Sequence, residues 1–458
     1  MKKILTFLFC IPFLLSYGQD ENLRNYDYTY YDNIRSVKFH VDGELISLPI
    51  LALGWPNALL LSFDDISGED VRDYVYSVEH CNADWTPSNL TEIEYLDGFS
   101  DERIDNYDYS FKAKSIYTHY WVRLPNEDMA FLKSGNYLLK VYDDEDEKKL
   151  VITRRFMVAD PQVDIVQRMV RPAQVSKNRT HQEIDFKVIH EGFEIRNPRQ
   201  ELTAVVLQNG RWDNAITGIK PFISRLEEQS FDYQDKIVFP AGKEFRSIDL
   251  RGVRYPDPRL VSMTEQNGKY EAVIETDIKR GGMAHFERFD INGNFIIENT
   301  DENGRLSIRR TDNSQSGQNG VSDAERQYQI FGRDDSQDEI HNLQSEYIDA
   351  LFSLKSSGEM YGEDIYIFGG LTEWQLKPEF KMVYNPAVNA YVAKVKLKQG
   401  YYDYIYAALP EGKSEADFEV TEGDWHETEN EYTILIYYRP FGGRYDQLIG
   451  MKTFTSRR

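Results

Sequence analysis

The chain has 458 residues, of which 41% are hydrophobic and 14% aromatic, and its formal net charge is −23 at pH 7. A length of this order predicts about three ordinary domains, each able to bury a core of its own. The negative charge repels phosphate groups, so it argues against binding to nucleic acid or to an anionic membrane surface.

The N-terminus has the pattern of a secretory signal peptide. Two lysines precede an apolar run at residues 4–15, and small residues follow it. The run is shorter than the roughly 20 residues that a membrane-spanning helix requires. Cys10 lies inside this run and follows large residues, so a lipoprotein anchor is not expected. We therefore predict a signal peptide at residues 1–18, cleavage between Gly18 and Gln19, and an exported chain without a direct lipid anchor.

Cleavage at that position would leave Cys81 as the remaining cysteine of the exported chain. A single cysteine cannot form an internal disulfide bond. It could be a small buried side chain, half of an intermolecular disulfide, or a reactive thiol. Free cysteines are commonly buried, which favours the first interpretation.

Apolar and polar residues alternate with period two along most of the chain, and no long stretch has the 3.6-residue period of an amphipathic helix. Turn-forming pairs such as Asn292-Gly293 separate the alternating stretches. Short strands divided by turns predict an all-β protein built from three tandem immunoglobulin-like (early-set) β-sandwiches. The predicted division is an N-terminal sandwich at residues 23–158, a middle sandwich at 163–298, a polar loop or linker at 299–342, and a C-terminal sandwich at 343–455.

The sequence contains no recognisable catalytic or metal-binding pattern. It has no zincin, nucleophile-elbow or phosphate-loop motif. The segment 290–301 resembles a calcium loop, but Phe295 occupies the sixth position, where such a loop requires glycine. An Asn-Gly turn is the favoured interpretation of this segment. We predict that the protein is not an enzyme and has no catalytic residue, bound metal, cofactor or small-molecule substrate.

The segments 368–374 (FGGLTEW) and 400–406 (GYYDYIY) resemble the sandwich modules of glycogen-branching and starch-binding proteins. That resemblance implies that an aromatic side chain could stack on a sugar ring. We take Trp374 and Tyr402 as candidates for glycan stacking or for a protein interface, and the alternative for Trp374 is a core residue. The alternative function from this resemblance is that of a polysaccharide-binding protein of the periplasm or cell surface.

A second resemblance covers nearly the whole exported chain. Several segments, in the same order along the chain, resemble the plug protein family of the type IX secretion system. They include 80–85 (HCNADW), 94–99 (EYLDGF), 208–214 (QNGRWDN) and 437–440 (YYRP). The segment 240–243 (PAGK) departs from the family pattern at one local turn. The resemblance implies a non-enzymatic periplasmic protein that closes the periplasmic mouth of a giant outer-membrane β-barrel translocon, with that barrel as its partner.

Overall fold

The computed structural model describes residues 23–68, 70–144, 148–303, 307–310, 328–331 and 341–457. The predicted signal peptide and its cleavage site between Gly18 and Gln19 lie outside these residues. Much of the polar segment 299–342 also lies outside them.

Strands make up most of the regular structure, and they fall into runs along the chain. The first run contains β1 (Tyr28–Thr29), β2 (Ile34–Val41), β3 (Ile50–Ala52), β4 (Leu59–Asp65), β5 (Tyr74–Cys81), helix α1 (Glu92–Tyr95), β6 (Leu96–Gly98), β7 (Asp101–Arg103), β8 (Asn106–Tyr109), β9 (Thr118–Leu124), β10 (Met129–Phe131), β11 (Gly135–Asp143) and β12 (Lys149–Ala159). The second contains β13 (Asp164–Val170), β14 (His181–Ile189), helix α2 (Pro198–Glu201), β15 (Leu202–Gln208), β16 (Arg211–Ile219), β17 (Ile223–Ser224), β18 (Glu228–Phe231) and β19 (Val238–Pro240).

The remaining elements form a third run and a short final one. The third contains β20 (Arg246–Asp249), β21 (Leu260–Gln266), β22 (Lys269–Ile274), β23 (Asp277–Ile278), β24 (Phe295–Ile297), helix α3 (Thr300–Asn303), β25 (Ser307–Arg310), β26 (Tyr328–Phe331), β27 (Tyr347–Lys355), β28 (Glu363–Phe368), two 3-10 helices (Gly370–Thr372 and Pro378–Phe380), β29 (Lys381–Asn385), β30 (Ala390–Lys398) and β31 (Gly400–Pro410). The final run contains β32 (Glu431–Tyr438) and β33 (Gln447–Thr455).

The first sandwich is built from the first run. One sheet has the order β1-β12-β11-β5-β7 and the other has the order β2-β4-β9-β8. Alternating side chains of the two sheets meet in a core that includes Leu61, Phe63, Tyr120, Tyr137 and Phe156, each 0% exposed. Burial of such large aromatic side chains stabilises the sandwich. The described part of the chain contains no disulfide that would add to this stability.

The second sandwich combines distant parts of the chain. One of its sheets has the order β13-β14-β18-β17, and the other has the order β16-β15-β32-β33. The final run therefore returns to pair with β15, in a register that sets Leu202 opposite Tyr438 and Gln208 opposite Tyr432. The third sandwich is formed by the part of the sequence that separates β15 from β32. Its strands have the order β20-β31-β28-β29-β30-β27-β22-β21.

The predicted all-β class is confirmed. The predicted tandem arrangement is wrong, and so are the C-terminal boundaries of the predicted middle and C-terminal domains. The strands β20 to β24 fall within the predicted middle domain at 163–298, yet they pair in the third sandwich. The strands β32 and β33 fall within the predicted C-terminal domain at 343–455, yet they complete the second sandwich. Alternation reveals a strand and its buried face but not the sheet that the strand joins. Within the predicted linker at 299–342, β25 and β26 form an antiparallel pair.

The first sandwich contacts both of the others, one through the outer face of each of its sheets. The outer face of its β5-β11-β12 sheet contributes Leu138 and Met157 to a second core shared with Val205, Leu435 and Tyr437 of the second sandwich. The outer face of the other sheet packs against the third sandwich, so all seven residues of β4 are buried. Strands that are buried on both faces, such as β4, lose the simple exposed-buried alternation.

Candidate functional site at the junction of the three sandwiches

The structure does not support Tyr402 as a residue for glycan stacking or for a protein interface. Tyr402 is 2% exposed and lies in the core of the third sandwich. Its ring stacks on that of Phe295 with centroids 5.4 Å apart, and its hydroxyl donates to the Lys398 carbonyl oxygen at 2.6 Å. A ring that is covered on its face and satisfied at its hydroxyl is unavailable to a sugar or to a partner protein.

Trp374 is half-buried and packs away from Tyr402, in a separate apolar cluster of the third sandwich. Its ring meets Phe245 and Phe368 edge-on, with centroid distances of 5.9 and 5.7 Å. The guanidinium carbon of Arg211, on β16 of the second sandwich, lies 4.7 Å from the Trp374 ring centroid. Trp374 therefore makes a cation–π contact between sandwiches. The two aromatic candidates do not share a surface, so the polysaccharide-binding alternative loses its structural support.

The turn that carries Trp374 has an unusual backbone. Glu373 and Trp374 are consecutive non-glycine residues with positive φ values of 57° and 58°. Each such residue costs on the order of 1 kcal/mol or more. The geometry sends the two side chains to different neighbours, Glu373 to the first sandwich and Trp374 to the second. The turn thus connects all three sandwiches.

Glu373 forms the contact with the first sandwich. Its carboxylate accepts hydrogen bonds from the Thr29 hydroxyl at 2.6 Å and from Lys377 Nζ at 2.5 Å, and it pairs with Arg154 of β12. Burial raises the pKa of Glu373, but the charges of Arg154 and Lys377 outweigh this effect and lower it to about 2. Glu373 is therefore ionised at neutral pH and binds two cations at the junction.

A second buried contact joins the first and third sandwiches around Asp64 of β4. Its carboxylate receives Lys398 Nζ, the Tyr347 hydroxyl and His119 Nδ1, each at 2.6 Å. The side chains of Asp64 and Lys398 are both 0% exposed. A charge this deeply buried requires a partner of opposite charge.

The pKa shifts of Asp64 and Lys398 disagree about the ion pair. The shift of Asp64 favours its charged form, whereas the shift of Lys398 favours its neutral form. Burial raises the pKa of Asp64, but Lys398 and His119 together hold it below the ordinary value. Burial also lowers the pKa of Lys398 despite its carboxylate partner. The direction for Asp64 agrees with its three short hydrogen bonds, so we assign the ionised form to the carboxylate. No motif in the sequence brought the members of this site together, because they are scattered along the chain.

The contact between the first and second sandwiches contains two of the sequence segments that resemble the plug family. Trp85 ends the segment 80–85 and meets Trp212 edge-on at 4.9 Å. The Arg155 guanidinium carbon lies 4.4 Å from the Trp85 ring centroid. Cys81, at 1% exposure, packs in the same shared core, which confirms the prediction of a buried cysteine. These segments therefore act in packing between sandwiches.

The predicted Asn292-Gly293 turn is confirmed, with φ values of 53° and 80°. Its backbone is held by Asp403, whose Oδ2 accepts N–H bonds from Ile291 at 2.5 Å and from Gly293 at 3.3 Å. Burial raises the pKa of Asp403 well above its usual range, and the nearby Asp290 carboxylate raises it further. The turn packs directly beneath Trp374.

Substituting Gly293 with alanine should destabilise the junction. A Cβ atom there would lie 2.3 Å from the Trp374 ring and 2.6 Å from Phe245, and φ is already positive. Overpacking of this kind costs typically about 1–3 kcal/mol. Gly268 is the matched control, because it follows an asparagine, has φ of 76° and has no atom within 4 Å of its Cβ position. Urea unfolding of both variants should show the larger loss for G293A, and equal losses would contradict the steric argument.

Across the described ranges, no group of three or more His, Cys, Asp or Glu side chains is arranged to hold a metal ion. No helix in these ranges combines the length and apolar composition needed to cross a bilayer. The junction is thus a set of structural contacts in which ionised and aromatic side chains bind one sandwich to another.

Comparison with known proteins agrees with this architecture. Residues 34–160 match the family model described as the type 9 secretion system plug protein 1st domain. The chain is also 30% identical to a hypothetical protein from Parabacteroides merdae ATCC 43184, known from a crystal structure at 2.30 Å resolution. That similarity covers 95% of this chain and 100% of the other, with a TM-score of 0.82. No curated protein matches the chain.

Proposed function

Because the chain belongs to the type IX secretion system plug protein family, we propose that it is a non-enzymatic periplasmic component of that system. In this role it closes the periplasmic mouth of the giant outer-membrane β-barrel through which the system exports proteins. It reaches the periplasm through a cleaved signal peptide and binds the barrel as a protein partner. No catalytic step, cofactor or metal is part of the proposal.

The observation that carries the proposal is the joining of three sandwiches by buried contacts. Domains of one chain usually move relative to one another unless their interface is large and apolar. Here the first sandwich shares an apolar core with the second, and the ion pairs of Asp64 and Glu373 connect it to the third. A body that blocks a wide aqueous pore must resist deformation by solute and solvent, and this construction supplies that resistance.

Binding of the barrel is the direct test. The tagged protein, expressed in its native host, should be recovered from gently solubilised outer membranes together with one giant barrel protein in near-equal amounts. Mass spectrometry identifies the partner, and a tagged, unrelated periplasmic protein from the same host serves as the control. Absence of the barrel, under conditions that keep other translocon components together, would show that the proposed function is wrong.

A further inference from the structure

A cleft of about 460 Å³ lies where the first and second sandwiches meet at the surface. One wall is the loop that follows β5, with Asn82 and Asp84, and the other is formed by β15 and β16, with Thr203 and Thr217. Its volume falls within the roughly 300–1,000 Å³ typical of ligand sites. The proposed closure of a pore does not by itself require this cleft.

Hydrogen bonds hold the two walls in place. Arg439 Nη2 donates to Asn82 Oδ1 at 2.6 Å, and the same guanidinium lies 2.8 Å from Asp446 Oδ1. The other oxygen of Asp446 accepts the Ala83 N–H at 2.9 Å. The bonds to Asn82 and to Ala83 cross from the second sandwich to the first, and the Arg439–Asp446 pair orients both of their partners. The cleft is therefore already formed before anything binds, which lowers the entropic cost of binding.

Two large apolar side chains protrude at or next to the turn between β32 and β33, which supplies Arg439 and Asp446 to the cleft. Phe441, at the tip of the turn between β32 and β33, is 95% exposed, although its N–H is held by Glu201 Oε1 at 3.3 Å. Ile93 of α1 is 85% exposed, and the neighbouring Glu94 is paired with Arg444 of that same turn. Protein interfaces are enriched in exposed aromatic side chains that become buried on binding, and Phe441 is such a side chain next to the cleft.

The chemistry of the lining selects one class of occupant. Carboxylates of Asp84, Glu201 and Asp446 face the cleft together with the cations of Lys220 and Arg439. Lys220 Nζ is held against the wall by Thr203 Oγ1 at 2.6 Å. Charges of both signs beside hydroxyl groups suit the peptide groups and mixed side chains of a polypeptide. Such a lining offers little apolar surface to a lipid chain, and its excess of carboxylates disfavours a phosphate-bearing ligand.

We propose that this cleft receives a protruding loop of the barrel partner, with Phe441 packing against the partner surface beside it. The inference rests on the proposed function, because it assigns the docking site for that partner. It places the attachment on the first and second sandwiches and leaves the third without a part in this contact.

A blocking substitution tests the inference. Thr217 is an exposed residue of β16 that lines the cleft, so T217W should fill the cleft without disturbing a core. Thr264 is an exposed residue on β21 of the third sandwich, and T264W is the matched control. In the outer-membrane pull-down, T217W should recover at least about tenfold less barrel than wild type, whereas T264W should recover the wild-type amount. Circular dichroism of the purified variants establishes that both are folded.

A second pair of variants keeps the test decisive if T217W does not fold. F441A removes a ring that is 95% exposed, and Y361A removes an equally prominent ring, 89% exposed, on the third sandwich. Loss of barrel recovery in F441A but not in Y361A supports the inference. Wild-type recovery by both T217W and F441A overturns the docking site and leaves the proposed function intact. Failure of wild type itself to recover a barrel overturns both.

Discussion

Replacing Lys398 with methionine is expected to lower the free energy of unfolding by about 3–5 kcal/mol. Its ammonium group lies 2.6 Å from Asp64 Oδ2, and both side chains are 0% exposed. Methionine preserves most of the aliphatic volume, so the loss reports the charge that remains on Asp64 rather than a cavity. Urea unfolding followed by tryptophan fluorescence measures the difference from wild type.

Two controls separate the buried charge from ordinary pairing. Lys381 Nζ lies at the same 2.6 Å from Asp364 Oδ2, but these side chains are 44% and 49% exposed. K381M should therefore change stability much less, because water and salt screen an exposed pair. The double variant D64N/K398M removes both charges and should lose less stability than K398M alone. A double variant as unstable as K398M would show that the lysine stabilises the junction through packing and not through charge.

The fold class could be predicted from the sequence because a strand records its buried face locally, in the alternation of its own side chains. Sheet membership is different, because it depends on contacts between distant segments. The strand β32 would have the same apolar alternation whether it joined β31 or β15. It pairs with β15, more than 200 residues upstream. The hydrogen bond between Tyr432 and Gln208, for example, joins residues 224 positions apart. The insertion of the third sandwich into the second was therefore not visible in the pattern.

The error at Tyr402 has a local cause. Tyr402, Tyr404 and Tyr406 share one face of β31 because side chains at every second position point the same way. All three are at most 2% exposed, and the hydroxyls of Tyr404 and Tyr406 donate to Asp277 Oδ2 at 2.7 and 2.9 Å. Three tyrosines at period two thus indicate a core face with polar partners at its edge. A resemblance to sugar-binding strands outweighed this signal in the prediction.

The junction could not be predicted from sequence for a further reason. Asp64 and Lys398 are 334 positions apart, and Glu373 is 219 positions from Arg154. One local signal was present: Asp64 and Asp65 end a strand, β4, whose preceding residues are nearly all apolar. A carboxylate in such a strand must have a partner, because burial of an unpaired charge is prohibitively costly. That rule predicts the existence of a partner but not its identity.

Replacing Glu373 with alanine is expected to cost about 3–5 kcal/mol, because it removes the carboxylate that pairs with the buried Arg154 guanidinium between the first and third sandwiches. The Arg154 side chain is 5% exposed and the Glu373 side chain 14% exposed. The same change removes the acceptor for Thr29 and Lys377, so the strained turn at residues 373–374 loses the contacts that offset its backbone cost. Urea unfolding at pH 7 measures the loss.

The pH dependence of this loss identifies its origin. Because the folded state lowers the pKa of Glu373 from 4.5 to about 2, its contribution is complete above pH 4.5 and disappears as the pH falls through about 2. Wild type and E373A should therefore differ most near neutral pH and converge toward pH 2. Glu94 is the control, since its pairing with Arg444 also lowers its pKa to about 2, but on the open surface. E94A should destabilise the protein far less than E373A, because solvent screens the exposed pair. A difference between wild type and E373A that stays constant from pH 7 to pH 3 would assign the effect to lost packing at the turn instead of to the ionised carboxylate.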